Sequence, residues 1–261
     1  MAELLVFNLL LLMAAMLLLW LLSIALGDVS FIDSFWAFGF VLVAGASFWQ
    51  QGAQATPHSL ALLVVTALWG LRLGGYLLLR WRREGADPRY ERMLEKAGGN
   101  RHLFSLRAVF LLQGLMLWTV SLPVQLGPLA DHGGPLTPLA WGGIVLAVVG
   151  ILFESVGDNQ LAAFRADPAN RGQVMDRGLW RYTRHPNYFG DACVWWGLFL
   201  VAVAAGAPLW SAVGPALLNW TLLRWSGASL LERRLKRSRP GYEDYVARTS
   251  GFIPWPPKKQ P

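Results

Sequence analysis

Residues 4–26 read LLVFNLLLLMAAMLLLWLLSIAL, and this stretch carries no charged side chain. A helix needs roughly 20 mostly apolar residues to cross a bilayer, so the stretch predicts a membrane-spanning helix. A secretory signal would instead begin with basic residues and end at a small-residue cleavage site. Here Glu3 is the only early charge, and the apolar run is longer than a signal requires. We therefore predict a first span that stays in the protein.

The rest of the chain is also rich in apolar residues. Apolar residues make up 54% of the sequence and charged residues 15%, whereas soluble domains carry about 25% charge. Seven stretches are long and apolar enough, or nearly so, to span a membrane: residues 4–26, 31–50, 59–79, 104–126, 139–163, 188–207 and 209–231. The sequence therefore predicts an all-α, polytopic integral membrane protein. We expect seven transmembrane helices with short interfacial helices, forming a single membrane-embedded domain over residues 1–261.

Basic residues are distributed asymmetrically around the predicted spans. The net charge is +7, and apart from Arg72 every Lys and Arg lies in one of three segments: 80–107, 165–184 and 224–261. Three other loops contain no Lys or Arg: 51–58, 127–138 and 206–209. With seven spans, the basic segments all fall on one side, which the positive-inside rule places in the cytoplasm. We therefore expect the N-terminus outside and the C-terminus in the cytoplasm.

Several kinds of site are not expected. Cys193 is the single cysteine, so an intramolecular disulfide cannot form. The four histidines are scattered without zinc-ligand spacing, and no metal site is predicted. The chain has no Gly-x-Gly-x-x-Gly or Walker-type loop. Its basic residues lie in loops near the membrane rather than on a soluble module, so nucleic-acid binding is not expected.

Two short helices are predicted outside the spans. Asp87 has the character of a helix N-cap, and Pro88 has that of a first-turn proline. In the tail, Pro240 and Gly241 break the chain, and a short amphipathic helix is expected to begin at Tyr242. Both helices would lie at the membrane interface.

Polar residues cluster near the predicted cytoplasmic ends of the late spans. Glu154 and Asp158 share one face of the fifth span, since residues four apart lie one turn apart on a helix. The segment 181–191 and the region around Glu232 are similarly polar. Ionisable groups at such depth usually face a cavity, so these segments predict one polar pocket open to the cytoplasm. Ordinary snorkelling of side chains at helix ends is the alternative.

Polar positions in the early spans are further candidates. Asp33 stands at the start of the second span, where it is either a helix N-cap or a functional carboxyl group. Trp69, Arg72 and Tyr76 recur at helical spacing in the third span. Arg72 either reaches a polar site or snorkels to the interface.

Residues 178–197 read GLWRYTRHPNYFGDACVWWG. This stretch resembles the C-terminal signature of the steroid 5-alpha-reductase family, and its bacterial members most closely. Supporting pieces occur in the expected order: Asp33 to Trp36, Trp69 to Tyr76, Leu112-Gln113-Gly114, Glu154 to Gln160, Ser226-Gly227 before Glu232, and Tyr242 to Pro254. The resemblance covers nearly the whole chain, and its bacterial character implies a bacterial inner membrane. Its Arg-His-Pro-x-Tyr element also resembles isoprenylcysteine carboxyl methyltransferases.

The resemblance implies a seven-helix membrane reductase of steroid or other lipid metabolism. Such an enzyme uses NADPH to reduce the 4,5 double bond of a 3-oxo-4-ene steroid or a similar enone lipid. The cofactor would lie in a cytoplasm-facing cavity among the later helices, and the substrate would enter from the bilayer among the earlier ones. Carried over by motif, the residues that bind NADPH would be Arg101, Asp158, Arg165, Tyr182, Arg184, His185, Asn187, Tyr188, Asp191 and Glu232.

The catalytic half of the family pattern is altered in this sequence. Trp69 stands where the mammalian enzymes carry a tyrosine. In the cofactor-binding half, the one departure is conservative: Asp191 stands where glutamate is usual. Hydride transfer to the β carbon of an enone builds negative charge on the carbonyl oxygen, so a hydrogen-bond donor there lowers the barrier. A tyrosine hydroxyl or a buried protonated carboxyl group can donate, which makes Asp33 and Tyr76 the candidate catalytic residues.

Two other function classes stay open. One is a membrane methyltransferase that uses S-adenosylmethionine and a lipid or prenyl-cysteine acceptor, and that needs no binding site for a 2′-phosphate. The other is a sterol- or lipid-binding membrane protein without enzymatic activity. In each case the partners are membrane lipids and an apolar ligand from the bilayer, and the sequence is compatible with a monomer.

Overall fold

The fold is described from a computed structural model, which covers residues 1–52, 55–225 and 228–258. The α-helices in these residues are α1 Ala2–Leu26, α2 Ile32–Gln50, α3 Pro57–Glu84, α4 Pro88–Glu95, α5 Arg101–Ser105, α6 Leu112–Val120, α7 Leu122–Ala130, α8 Pro138–Ala166, α9 Pro186–Ala204, α10 Val213–Trp220, α11 Ala228–Ser238 and α12 Tyr242–Arg248. Two π-helical turns, Leu106–Leu111 and Thr221–Trp225, follow α5 and α10.

The predicted all-α class is confirmed. The covered ranges contain no β-strand, and their single isolated bridge pairs Thr183 with Ser250. Ser226 and Gly227, which belong to the steroid reductase resemblance, lie outside the described residues.

Six helical stretches of the described chain are long and apolar enough to cross a membrane: α1, α2, α3, Arg101–Val120, α8 and α9. By helix length and composition the chain is a membrane protein, as predicted. The count of seven spans is not confirmed. The predicted span 209–231 begins with a 3₁₀ turn at Leu209–Ala212, and the eight-residue α10 and its π-helical turn follow. The fourth predicted span also ends early, since Ser121 separates α6 from α7.

Local sequence explains where the long helices begin and end. Thr56 and Ser59 form a capping box at the start of α3, and Pro57 occupies its first turn. α1 ends at Gly27, whose φ of 67° is the left-handed conformation that glycine adopts without steric cost.

Both predicted short helices are present. Asp87 caps α4 by accepting a hydrogen bond from the Arg89 amide, and Pro88 is the first residue of that helix. In the tail, Gly241 precedes α12 with a φ of 76°, and the helix begins at Tyr242. Their position at the membrane interface stays a prediction.

The described residues form two compact units. The first comprises the described parts of residues 1–141 together with 198–214, and the second comprises the described parts of residues 142–197 and 215–261. The first unit therefore holds α1 to α7. The second holds most of α8, α9 and α10, together with α11 and α12. The prediction of a single domain over the whole chain stays a prediction.

In the first unit, α2 and α3 pack closely. A Cβ atom at Gly70 would lie 2.5 Å from Val41 and 2.8 Å from the Ala37 carbonyl oxygen, so a residue without a side chain fits best there. Beside it, the buried ring of Trp69 lies 5.5 Å from that of Phe40. These contacts fix α3 against α2.

A buried polar cluster ties α1 to the same unit. The Asn8 amide donates hydrogen bonds to Ser47 Oγ at 2.9 Å and to Gln125 Oε1 at 3.1 Å. Gln50 donates to Asn8 Oδ1 at 3.2 Å, and Gln125 donates to Ser121 Oγ at 2.8 Å. Polar groups inside a membrane need such partners, so the cluster holds α1 against α2 and α7.

In the second unit, glycines let α8 and α9 approach closely. A Cβ atom at Gly150 would lie 2.5 Å from the Gly190 carbonyl oxygen, and one at Gly190 would lie 2.6 Å from the Gly150 carbonyl oxygen. Small residues at such positions allow backbone contact between membrane helices. The contact fixes the start of α9, and the polar loop that precedes it, against α8.

Candidate active site

The loop 178–185, which leads into α9, is anchored to α8 by hydrogen bonds. The Trp180 indole donates to the Gly157 carbonyl oxygen at 3.0 Å. The Leu179 amide donates to Gln160 Oε1 at 2.9 Å. The loop therefore has a fixed position on the last turns of α8.

The C-terminal segment binds the same loop through its backbone. The Arg184 amide donates to the Ser250 carbonyl oxygen at 2.9 Å. The Trp255 amide donates to the Tyr182 carbonyl oxygen at 3.0 Å. Residues far apart in the sequence thus meet around the start of α9.

Arg184, His185 and Glu232 form a polar cluster at this place. Glu232 accepts a hydrogen bond from Arg184 Nε at 2.8 Å, and its Oε1 lies 2.9 Å from His185 Nε2. Arg184 Nη1 also donates to the Thr249 carbonyl oxygen at 2.6 Å. His185 is buried, and the ring of Tyr188 stacks on it at 5.2 Å. The cluster joins the start of α9 to α11 and to the tail.

The cluster keeps the Glu232 carboxylate ionised. Burial alone would raise the pKa of Glu232. Hydrogen bonds from His185 and Arg184, together with their charge, outweigh burial and lower this pKa to about 2 from an ordinary 4.5. At neutral pH Glu232 is therefore a fixed negative charge that holds both neighbours.

Two tyrosines of α12 lie close to the cluster as neutral hydroxyls. Burial and the charge of Glu232 raise the pKa of Tyr242 to about 12. Burial likewise raises the pKa of Tyr245, whose hydroxyl donates to the Trp180 carbonyl oxygen at 2.5 Å. Both tyrosines are therefore protonated at physiological pH.

A cavity of about 300 Å³ adjoins the cluster. Four arginines line it: Arg165, Arg171, Arg184 and Arg239. Its aromatic lining consists of Phe164, Trp180, Tyr242 and Tyr245. Within the described part of the chain, Asp167 is the one acidic residue of this lining. The excess of positive charge suits the cavity to an anionic ligand of small-molecule size.

Comparison with known proteins places the chain in a family. A family model described as a protein of unknown function (DUF1295) matches residues 19–249. The chain belongs to the DUF1295 family. An uncharacterized protein of Schizosaccharomyces pombe is 23% identical to it over 275 residues, which cover 90% of this chain and 75% of that protein. No solved structure matches the chain.

Five of the ten residues that the steroid reductase resemblance assigns to NADPH come together in this DUF1295 chain. Arg165, Arg184 and His185 line the cavity. Glu232 contacts Arg184 and His185. Tyr188 stacks on His185. The predicted polar pocket among the late helices therefore has a counterpart in the second unit.

The other five residues do not line this cavity. Asp158 and Asp191 are buried in α8 and α9. Tyr182 is exposed, and Asn187 accepts a hydrogen bond from the next amide along the chain. Arg101 belongs to the first unit.

Sequence reasoning missed part of the cavity lining. Arg171 and Arg239 were not singled out. Trp180, Tyr242 and Tyr245 belong to the motifs of the resemblance but were not assigned to a pocket. Both arginines lie in the basic segments, so the charge pattern indicated the correct regions. It did not distinguish the arginines that line the cavity from those that do not.

In the first unit, Asp33 accepts hydrogen bonds at both carboxylate oxygens. Tyr90 of α4 donates to Oδ1 at 2.5 Å, and Arg89 donates to Oδ2 at 3.3 Å. The N-cap position of α2 is Phe31 and no side chain caps the helix, so the N-cap interpretation of Asp33 is wrong. Gln113 donates to the Tyr90 hydroxyl oxygen at 3.2 Å.

Tyr90 is a neutral hydroxyl that sequence reasoning missed. Burial raises its pKa well above the ordinary value, and the negative charge of Asp33 raises the pKa further. Nothing in the local pattern around Tyr90 shows that α4 folds back onto the start of α2. Tyr76, the other predicted catalytic residue, is half-buried on α3.

The described residues offer no metal centre. Among them, no group of three or more His, Cys, Asp or Glu side chains lies close enough to hold a metal ion. The expectation that the protein uses no metal stays a prediction.

Proposed function

We propose that this protein is an NADPH-dependent membrane reductase. It adds hydride to the β carbon and a proton to the α carbon of a 3-oxo-4-ene steroid or a similar enone lipid. The observation that carries the proposal is the cavity in which Arg165, Arg171, Arg184 and Arg239 come together beside aromatic rings. The resemblance of residues 178–197 to the steroid 5-alpha-reductase signature supplies the reaction and the cofactor.

The cavity residues fit a phosphorylated dinucleotide. NADPH carries a pyrophosphate and a 2′-phosphate, and the planar guanidinium fork binds phosphate oxygens in pairs. In the described chain, no carboxylate forms an ion pair with Arg165, Arg171 or Arg239. A phosphorylated ligand would therefore supply the negatively charged partner that these three arginines lack. Trp180 also lines the cavity, and aromatic rings of this kind stack on nucleotide bases.

Each part of the site has a separate task in this proposal. Arg165, Arg171 and Arg239 bind phosphate groups. Glu232 keeps Arg184 and His185 in place, because its ionised carboxylate contacts both. When bound, NADPH supplies the hydride, so the protein has to position the substrate and stabilise developing charge.

The substrate carbonyl oxygen needs a hydrogen-bond donor from the protein. Asp33 and Tyr76 are the donors proposed from the sequence. We add Tyr90, because its protonated hydroxyl contacts Asp33 directly. In this arrangement Asp33 accepts a hydrogen bond and Tyr90 donates it. Asp33 is thus placed to hold the Tyr90 hydroxyl in position.

We also propose the membrane arrangement that the charge pattern predicts. It has seven spans, including residues 209–231, in a bacterial inner membrane. The N-terminus lies outside and the C-terminus lies in the cytoplasm. The arginine-lined cavity would then open to the compartment that contains NADPH. The enone substrate would enter from the bilayer.

A methyltransferase is the second candidate, and the Arg-His-Pro-x-Tyr element at residues 184–188 favours it. S-adenosylmethionine, however, carries a sulfonium and an ammonium group and one carboxylate, with no phosphate. Four arginines in one cavity repel its cationic groups, so this cofactor fits less well than NADPH. The cavity therefore favours the reductase.

Turnover of the purified protein in nanodiscs tests the proposal. NADPH should be oxidised when progesterone, a 3-oxo-4-ene steroid, is present, and reduced steroid should form in equal amount. Heat-inactivated protein is the control. Methyl transfer from S-adenosylmethionine to a lipid acceptor would contradict the reductase. Saturable steroid binding without NADPH oxidation would favour a lipid-binding protein instead.

A further inference from the structure

A second cavity, of about 180 Å³, lies in the first unit between α1, α4 and α5. Val29 and Leu94 form its apolar floor, and each is more than nine-tenths buried. Its rim carries Arg101 and His102, both of which are exposed. An apolar floor with a cationic rim is complementary to an amphiphile with an anionic head.

The positive charge on this rim is available to a ligand. Arg101 pairs with Glu91 at 3.6 Å, and the two side chains are 52% and 44% exposed. Exposed pairs of this kind contribute little, so a better anionic partner can replace Glu91. The hydrogen bonds described for His102 all use its backbone.

The other polar groups of the cavity are already engaged. Ser23 and Ser105 line it and are buried. Their hydroxyls donate to the carbonyl oxygens of Trp20 and His102 respectively. Binding of an anionic head therefore falls to the guanidinium of Arg101 and the imidazole of His102.

The surrounding residues are of the kinds expected at the level of lipid headgroups. The Trp20 indole donates to the His102 carbonyl oxygen at 2.9 Å and ties the apolar helix α1 to α5. Indole rings concentrate at the membrane–water interface. The segment 80–107, which contributes Leu94, Arg101 and His102, carries eight Lys and Arg residues against four acidic ones. Such basic segments attract anionic lipids.

We propose that this cavity binds the phosphate of an anionic phospholipid, with Arg101 and His102 on the phosphate and the start of an acyl chain against Val29 and Leu94. Inorganic phosphate carries the same anionic group, but it has no acyl chain to contact Val29 and Leu94. The proposal does not depend on the reductase function. It gives Arg101 a role other than the NADPH contact that the steroid reductase resemblance implies.

Thermal unfolding of the full-length protein in detergent tests this inference. Short-chain phosphatidylglycerol should raise the unfolding midpoint with a saturable concentration dependence. Phosphatidylcholine of the same chain length and inorganic phosphate should do so much less. Arg101→Gln should weaken the apparent affinity for phosphatidylglycerol by about tenfold, the cost of one charge-assisted contact. Arg107→Gln is the matched control, because Arg107 is exposed on the same helical stretch and does not line the cavity.

The same variants separate this site from the proposed cofactor site. Without added lipid, Arg101→Gln should unfold at nearly the same midpoint as the parent protein, which shows that the variant is folded. Loss of NADPH affinity with an intact response to phosphatidylglycerol would overturn the inference. Equal midpoint shifts with phosphatidylglycerol and phosphatidylcholine would overturn it too, as would an equal shift with inorganic phosphate.

Discussion

The Oε1 atom of Glu232 lies 2.8 Å from the Nε atom of Arg184, although the two residues are 48 positions apart in the sequence. Their side chains are 19% and 15% exposed respectively, so the pair is only weakly accessible to water. Because Arg184 lies just before His185 and the start of α9, and Glu232 lies in α11, the pair fixes these two elements at the arginine-lined cavity. The proposed cofactor site depends on this link.

Replacement of this carboxylate should loosen the site. Glu232→Gln removes the charge that Arg184 and His185 share, and we expect a loss of about 1–3 kcal/mol in the free energy of unfolding. NADPH affinity should fall as well. Fluorescence-detected unfolding and nucleotide titration measure the two effects. Glu243→Gln on exposed α12 surface is the control and should change neither quantity.

The depressed pKa of Glu232 gives this pair a defined pH dependence. Its folded-state pKa of about 2 lies below the ordinary 4.5, so ionisation stabilises the folded state. That contribution is fully present above pH 4.5 and is lost as the pH falls toward about 2. The difference in stability between the parent protein and Glu232→Gln should therefore shrink in this range. A constant difference down to the lowest accessible pH would contradict the assignment.

Single arginine replacements in the cavity should weaken cofactor binding selectively. Arg171→Gln or Arg239→Gln removes one cationic contact, which should raise the Kd for NADPH by about tenfold. Steroid binding and thermal stability should stay close to those of the parent. Arg177→Gln, at an exposed arginine outside the cavity lining, should bind NADPH normally. Nicotinamide fluorescence provides the measurement.

The proton-donor proposal concerns Asp33, Tyr76 and Tyr90. Tyr90→Phe removes one hydrogen bond to Asp33 and should cost about 1 kcal/mol of stability. It should also lower steroid turnover while NADPH affinity is preserved, since Tyr90 lies in the other unit from the arginine-lined cavity. Asp33→Asn and Tyr76→Phe are assayed in parallel. Full turnover in all three variants would remove these residues from the mechanism.

Close packing of α8 on α9 predicts a steric effect. A Cβ atom at Gly190 would lie 2.7 Å from the Glu154 amide nitrogen and 2.6 Å from the Gly150 carbonyl oxygen, so Gly190→Ala forces the helices apart. We expect about 1–3 kcal/mol of destabilisation. Gly142→Ala, in the same helix as Gly150, meets nothing within 4 Å and should be neutral or slightly stabilising. Equal unfolding midpoints for the two variants would argue against this contact.

The sequence predicted those features that depend on neighbouring residues. Apolar runs located six long helices, because span length is set by bilayer thickness. The start of α4 followed from Asp87 and Pro88, since capping involves residues within one turn. Hydropathy does not detect breaks inside an apolar run. The end of α6 before Ser121 and the short α10 were therefore not predicted.

Features that depend on distant residues were predicted less well. Glu232, Arg184 and His185 were grouped because the late helix ends are all polar. The contact of Tyr90 with Asp33 joins residues 57 positions apart and has no local signal. The convergence of Arg171 and Arg239 on one cavity likewise depends on the path of the chain between α8 and α11. Sequence reasoning therefore located the polar regions, and the fold determined which side chains meet.

The central claim is that the arginine-lined cavity binds a phosphorylated dinucleotide, and calorimetry on the purified full-length protein tests it most directly. We predict saturable binding of NADPH with a measurable heat. NADH lacks the 2′-phosphate and should bind more weakly, and S-adenosylmethionine should not bind. Folded protein that binds S-adenosylmethionine and leaves NADPH unbound would contradict the account.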